Sequence, residues 1–254
     1  MNLLSIKNLT VTVGPAKILD DVNLNVNPGE ITGIVGGSGS GKTTLGLSIL
    51  KLLPSAMRMA GGQIFFSGQD LATYSNSQMR PVRGKDIGMV FQEPLSAFDP
   101  LFTIGFQTDE TLAAHTNLDP NARRQRCLEV FRSVELDDPE RIYKSYPHEL
   151  SGGLRQRAMI AQAMICGPKL IIADEPTSSL DVTIQARIMK LLRRLNQEQG
   201  MTIILISHDL AMVSHLASHV AVMHKGKVIE EGKARDILSR PKQAYTQSLI
   251  DALT

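Results

Sequence analysis

Along the first ninety residues short apolar runs alternate with polar turns. LLSIKNLTVTV, DDVNLNV and EITGIVG have the form of strands, separated by the breakers GPAK and NPGE. The period then changes, and TTLGLSILKLL predicts a helix that stops at Pro54. GGQIFFSGQDL comes next as a hairpin-like segment, and DIGMVFQ as a strand ending at Gln92. From about Glu93 to Ile165 the strand signal disappears. TDETLAAHT, PNARRQRCLEVFRSVEL and the segment after Ser151 carry helical spacing instead. Beyond them strand and helix alternate through KLIIADE, VTIQARIMKLLRRLNQEQ, MTIILISH, DLAMVSHLA and HVAVMHKGKVIEEG. Continuous apolar strands alternating with helices predict a parallel sheet covered on both faces. The expected architecture is an α/β core interrupted by a helical insert, with no internal repeat.

Composition narrows this picture only a little. A chain of 254 residues has room for one sizeable core. Its net charge of +2 makes no electrostatic case for nucleic acid as a partner. The longest apolar runs, KLIIADE and TIILISH, are strand-length and well short of a membrane span. The start, MNLLSIKNLTV, carries one Lys among its first ten residues and no small-residue cleavage site, which is not the form of a signal peptide. Cys127 and Cys166 stand apart from each other and from any Cys/His cluster, as reduced packing residues of a cytosolic protein do. The histidines are scattered too, so no metal site made of protein ligands alone is expected.

The chemistry begins at Gly36. GGSGSGKTT, from Gly36 through Gly37, Ser38, Gly39, Ser40, Gly41, Lys42, Thr43 and Thr44, fits the phosphate-loop spacing G-x-x-x-x-G-K-[ST]. Glycines let backbone amides turn inward around a phosphate without a Cβ in the way. The following helix start adds positive partial charge, Lys42 reaches the β- and γ-phosphates, and Thr43 offers a hydroxyl to Mg²⁺. The loop sits between a predicted strand and a predicted helix, and it reads as a nucleotide site.

A second element agrees with that reading. KLIIADE is an apolar strand ending in Asp174 and Glu175. That puts two carboxylates at the C-terminal edge of a sheet, where open α/β sheets bind their ligands. Asp174 is suited to hold Mg²⁺ through its water shell, and Glu175 to polarise an attacking water. His208 follows a polar Ser207 at the end of another core strand and could sense the γ-phosphate and hold that water. Gln92 ends the strand DIGMVF in a similar way, and its amide could ligate Mg²⁺ or position water.

One feature is then surplus. LSGGLRQR, Leu150 to Arg157, is a Ser-Gly-Gly run opening into a helix former, which is another anion-binding helix start. Two cradles on one chain can hold two nucleotides, or one nucleotide between two chains. The second has no Lys at phosphate-loop spacing, so completing another molecule's site is the more economical reading. ATP would then join two subunits head to tail, and hydrolysis would release them.

Taken in order, these motifs resemble the ATP-binding subunit of an ABC transporter, over essentially the full chain. The family's Walker A motif matches Gly36 to Thr43, its Q-loop Gln92, and its signature Leu150 to Gly153. Its Walker B and catalytic glutamate match Leu170 to Glu175, its D-loop Ser178 to Asp181, and its switch histidine His208. The resemblance implies an α/β P-loop NTPase, RecA-like in its core, with an N-terminal antiparallel β subdomain and an inserted helical subdomain. It implies a single ATPase domain over 1–254, with core and β subdomain at about 1–92 and 167–254 and the insert at about 93–166. It further implies ATP and Mg²⁺ as ligands, with Thr43, Gln92 and Asp174 on the metal. Ser151, Gly152 and Gly153 would meet the γ-phosphate bound by the opposite subunit, and Asp181 would lie at the dimer interface.

A narrower resemblance lies in QEPLSAFDPLFTI, YPHELSGGLRQRAMIAQAM, DVTIQARIMKLL and PKQAYTQSLIDAL, which are similar to the peptide and nickel importer branch. That branch implies two permeases, a second and different ATPase subunit, an extracytoplasmic binding protein, and a place at the cytoplasmic face of the cell membrane. The groove between the Q-loop and the helical insert would receive a permease's coupling helix. Two departures stand out. The family usually stacks an aromatic ring on adenine near the first strand, whereas LTVTVGPAK offers Val13, without the ring-on-ring contribution of about 0.5–1.5 kcal/mol. Leu154 replaces the consensus Gln of the signature, a change at home in this branch. Many peptide-importing relatives carry a longer, cysteine-bearing C-terminus, and the close at Thr254 tips the expectation toward nickel or metal chelates over peptides. An exporter, an ABC ATPase of DNA repair or the ribosome, and a plain P-loop kinase or GTPase are the competing readings. The last leaves SSLD and QEPLSAFDP unexplained.

Overall fold

The alternation of Leu4, Ile6, Leu9 and Val11 becomes strand β1 (Leu4–Val13), paired antiparallel with β2 (Ala16–Val26) in a computed structural model that describes residues 2–178 and 180–252. All four of those side chains are buried, as are Leu19, Val22, Leu24 and Val26 opposite them. The pairing slips between Ile6 and Leu9, where Asn8 and, across from it, Asp21 take left-handed backbone at φ 52° and 58°. Asn8 Nδ2 donates to Asp21 Oδ1 at 2.7 Å, so the two irregular positions stabilise each other. Strand β3 (Ile31–Val35) is buried at every residue and leads through the glycine-rich loop into helix α1 (Lys42–Ile49). That helix stops short of the predicted Pro54: Lys51 is already left-handed, and its ammonium donates to the carbonyls of Ala72 and Tyr74. Strands β4 (Met57–Phe66) and β5 (Gln69–Asp70) complete an antiparallel sheet of order β2-β1-β4-β5, and α2 (Asn76–Pro81) comes after it.

The chain divides into two units, one of Met1–Arg80 with Asn196–Thr254 and one of Pro81–Leu195. In the second, β6 (Ile87–Val90) pairs in parallel with β7 (Leu170–Asp174), in the register Ile87 to Leu170. Between them, among the described residues, run five α-helices: α3 (Pro94–Ala97), α4 (Ile104–His115), α5 (Pro120–Ser133), α6 (Pro139–Lys144) and α7 (Gly152–Met164). Short polar residues start most of them. Thr103 caps α4, Asp119 caps α5 and Asp138 caps α6, the last two with Pro at the first helical position. Gln107 fastens the loop before α4: its amide accepts from Asp99 N and donates to the carbonyls of Asp99 and Phe102. Phe131, Cys127, Leu112 and Ile104 fill the interior of this helical region. Helix α8 (Val182–Gln199) carries the chain out of the unit.

Back in the first unit, β8 (Thr202–Ser207) pairs in parallel with β3, which pairs in parallel with β9 (His219–His224); α9 (Leu210–Ser214) lies between β8 and β9 in the chain. Strand β10 (Lys227–Lys233) turns back antiparallel on β9. The turn has Lys225 at φ 46° and Gly226 at φ 79°, the two left-handed positions that a two-residue hairpin of this hand demands. Helices α10 (Ala234–Ser239) and α11 (Ala244–Asp251) end the described chain. Every residue of β3 and β8 is buried, Thr32, Thr202 and Ser207 included, which fits their largely apolar sequence and parallel pairing.

Candidate functional site

The glycine-rich loop closes over itself in a manner that suits a phosphate. Gly36 is extended, and a Cβ there would stand 2.2 Å from the Met223 carbonyl oxygen, so no other residue fits. Ser40 Oγ is buried without a hydrogen-bond partner among the described residues. Lys42 is buried, and its ammonium donates to the carbonyls of Gly36 at 2.8 Å and Gly37 at 3.0 Å. The base of the loop is held by the β9–β10 turn, whose Gly226 N donates to Ser40 O at 3.0 Å. Ser38, Gly39 and Thr43 are exposed, and Thr44 is half-buried. A buried hydroxyl without an acceptor or donor, a sequestered cation and exposed amides together fit an oxyanion ligand.

One member of this site escaped sequence reasoning. The Tyr245 hydroxyl of α11 accepts the Gly37 amide at 2.8 Å, and its ring lies 3.9 Å from that of His224, tilted by 34°. AYTQSL carries no local sign of such a contact, because the partner stands 208 residues away. Val13 lies half-buried at the end of β1, opposite Ala16 and Met57. His208 is exposed one residue beyond β8, and Asp209 behind it caps α9 through Met212 N at 2.8 Å.

In the second unit, β7 delivers Asp174 buried at its last position. Glu175 follows with left-handed backbone at φ 48°, although it is not a glycine. Backbone strain of this kind, of order 1–3 kcal/mol, persists where the surroundings fix it and often marks function. The turn after it is held by Ser178, whose amide and hydroxyl both donate to Glu175 O at 3.2 Å. Gln92 is exposed, two residues past the observed end of β6 rather than within the strand.

Ser151 caps α7 by accepting from Leu154 N at 3.5 Å. Gly153 faces α8 closely: a Cβ there would stand 2.9 Å from Ile184 Cγ2. Leu180 lies in the same manner against Gly152, so the signature run and the residues around Asp181 come together. Asp181 Oδ1 accepts from Ile184 N at 3.0 Å at the start of α8, and Ser179 lies outside the described residues. Ser151, Gly153 and Leu154 line an open cleft of about 460 Å³ with Arg157, Arg187 and Lys190. Glu135 and Asp137 also border it. Glu135 is engaged there, accepting from Arg157 at 2.8 Å and Arg194 at 2.7 Å, and the same arginines take the carbonyls of Ser133, Val134 and Glu135 that end α5. The hydrogen bond from Arg157 holds the Glu135 carboxyl below its ordinary range. Burial pushes the Cys127 thiol up to about 12, which makes it an inert packing group.

Comparison with known proteins decides the family. Residues 19–178 match the ABC transporter family. The chain is 45% identical, over its whole length and 78% of the relative's, to the dipeptide transport ATP-binding protein DppD of Haemophilus influenzae. The chain belongs to the ABC transporter family. The DppD of Escherichia coli K12 is 42% identical over 100% of this chain and 79% of its own. Among solved structures, the ABC cassette MJ0796, a dimer bound to ADP and Pi in a post-hydrolysis state, superposes with a TM-score of 0.80. It is 32% identical, over 91% of this chain and 99% of that one. The ABC transporter component cbiO1 of Clostridium perfringens gives 0.82 at 29% identity, over 94% and 91%. The fold is thus the P-loop NTPase fold of ABC cassettes, and the protein is an ATPase of that family, its ATP-binding subunit. Among the described residues no helix is long and apolar enough to cross a membrane.

Proposed function

We propose that this chain hydrolyses ATP to drive a membrane importer of dipeptides or oligopeptides. The observation that carries the reading is the full-length likeness to the two dipeptide transport proteins. Those relatives favour peptides over nickel chelates. By family role, the loop from Gly36 to Thr44 holds the phosphates through its backbone amides other than that of Gly37, which Tyr245 engages, and through the Lys42 ammonium, while Val13 takes the adenine without a stacked ring. Glu175 polarises water, with His208 and Gln92 assisting. Thr43, Gln92 and Asp174 hold Mg²⁺. Their hydroxyl, amide and carboxylate oxygens suit a hard cation. Among the described residues no group of three or more His, Cys, Asp and Glu is placed to hold a metal ion, so the remaining ligands would be phosphate and water oxygens. When bound, Mg²⁺ neutralises charge on the phosphates.

Ser151, Gly152 and Gly153 serve a second ATPase subunit, a paralogue, with Asp181 at the contact between the two. Two permeases complete the assembly at the cytoplasmic face of the membrane, fed by an extracytoplasmic binding protein. An exposed apolar set in the second unit, Phe91, Leu95, Leu101, Phe102 and Phe106, supports a permease contact beside Gln92. The rings of Phe102 and Phe106 stack at 4.8 Å, which stiffens it. The test is a pull-down of this chain from solubilised native membranes. Two permeases and a second P-loop ATPase are expected, and ATP turnover by the complex should rise with binding protein and peptide but not with nickel chelates. Recovery of soluble proteins alone would remove the transport assignment.

A further inference from the structure

The segment that opens α11 is fastened to the first unit at three places. The Glu230 carboxylate of β10, itself buried, accepts the amide of Lys242 at 2.8 Å and that of Gln243 at 3.1 Å. The Tyr245 ring rests on His224 of β9. The Tyr245 hydroxyl then takes the Gly37 amide at 2.8 Å. Gly37 is consequently held on both sides, since its carbonyl accepts from the Lys42 ammonium at 3.0 Å. A glycine is the residue with most backbone freedom to lose, so tethers on both flanking peptide groups of one glycine do more to fix a loop than they would elsewhere.

We infer that Tyr245 is a positioning residue for nucleotide binding: by fixing Gly37 it pre-sets the entry of the phosphate loop against which Lys42 is held. The inference rests on the reading of that loop as the ATP site. Its physical basis is preorganisation, because a loop already ordered before ligand arrives loses less freedom on binding. Tyr245 touches neither phosphate nor Mg²⁺ in this role and acts through the backbone of Gly37. The ring contact with His224 supplies the lever, holding the phenol at the right depth.

Titration of the purified full chain with ATP decides the matter, using Tyr245→Phe, which keeps the ring and removes only the hydroxyl. Loss of one net hydrogen bond is expected to weaken ATP binding about two- to tenfold. The nucleotide-free melting midpoint should stay within about 2 °C of the parent, since one part-buried hydrogen bond is a small part of global stability. Equal affinity of variant and parent overturns the proposal. So does a fall in affinity matched by a general loss of stability, unless hydrogen exchange in the unaltered protein finds the Gly37 amide protected before nucleotide is added; rapid exchange there overturns it outright. Failure of the unaltered chain to bind ATP at all is a different result, which removes the ATP-site reading and leaves the Gly37 exchange measurement to judge the tether alone.

Discussion

Glu175 combines three properties that seldom meet in a glutamate: it is buried, it follows the last residue of a core strand, and its backbone is left-handed. Those constraints aim its carboxylate without help from its own rotamer freedom. Glu175→Gln keeps the shape and removes the base, so turnover should fall about 100-fold or more while ATP affinity holds within about threefold. Phosphate release and nucleotide titration on the same preparation check both halves. The loss of binding together with turnover would mean that Glu175 shapes the site instead of serving it. The sequence showed the acid and its strand; it could not show the φ of 48°, because nothing in ADEPTS demands a left-handed glutamate.

At the scale of elements, α7 comes close to α8 through the absence of a side chain at Gly153 and to Leu180 before it through that at Gly152, and arginines tie both helices to the end of α5. Ser151→Arg places a large cation at the start of α7 and leaves the sequence of the phosphate loop unchanged. ATP affinity of the isolated chain should stay within about twofold, while turnover by the assembled pair falls at least tenfold. If the isolated chain loses ATP binding, the second cradle serves its own subunit. The Glu135 hub makes a pH prediction. Its carboxyl is lowered in the folded state, so its contribution is present above the ordinary value of 4.5 and is lost as pH falls through the lowered one. Glu135→Gln should therefore narrow the gap in melting midpoint between neutral and acid buffers, read by thermal scans from about pH 7 to about pH 3. Strand and helix identities in this region were legible from spacing and capping residues. Helix ends were less so: in the first unit α1 stops at Ile49 because Lys51 finds distant carbonyls at Ala72 and Tyr74, and only tertiary structure supplies those.

For the whole molecule, the proposed division of labour between two cradles makes an assembly prediction. ATP added to Glu175→Gln should shift the chain, with its paralogue present, to a stable dimer seen by light scattering, and ADP should not. The order of the motifs along the chain conveyed the family and its fold well. Contacts that bind the chain's far end to its beginning were illegible, and the turn at Lys225–Gly226 is the clearest case. Gly226 has a left-handed φ of 79°, a Cβ there would stand 2.4 Å from Ile18 O, and its amide carries the Ser40 carbonyl. In a library covering the phosphate loop and the β9–β10 hairpin, intolerance should thus appear as two separated peaks. One falls on the recognised motif. The other falls on a buried hairpin glycine, Gly226, that no motif search would have thought to protect.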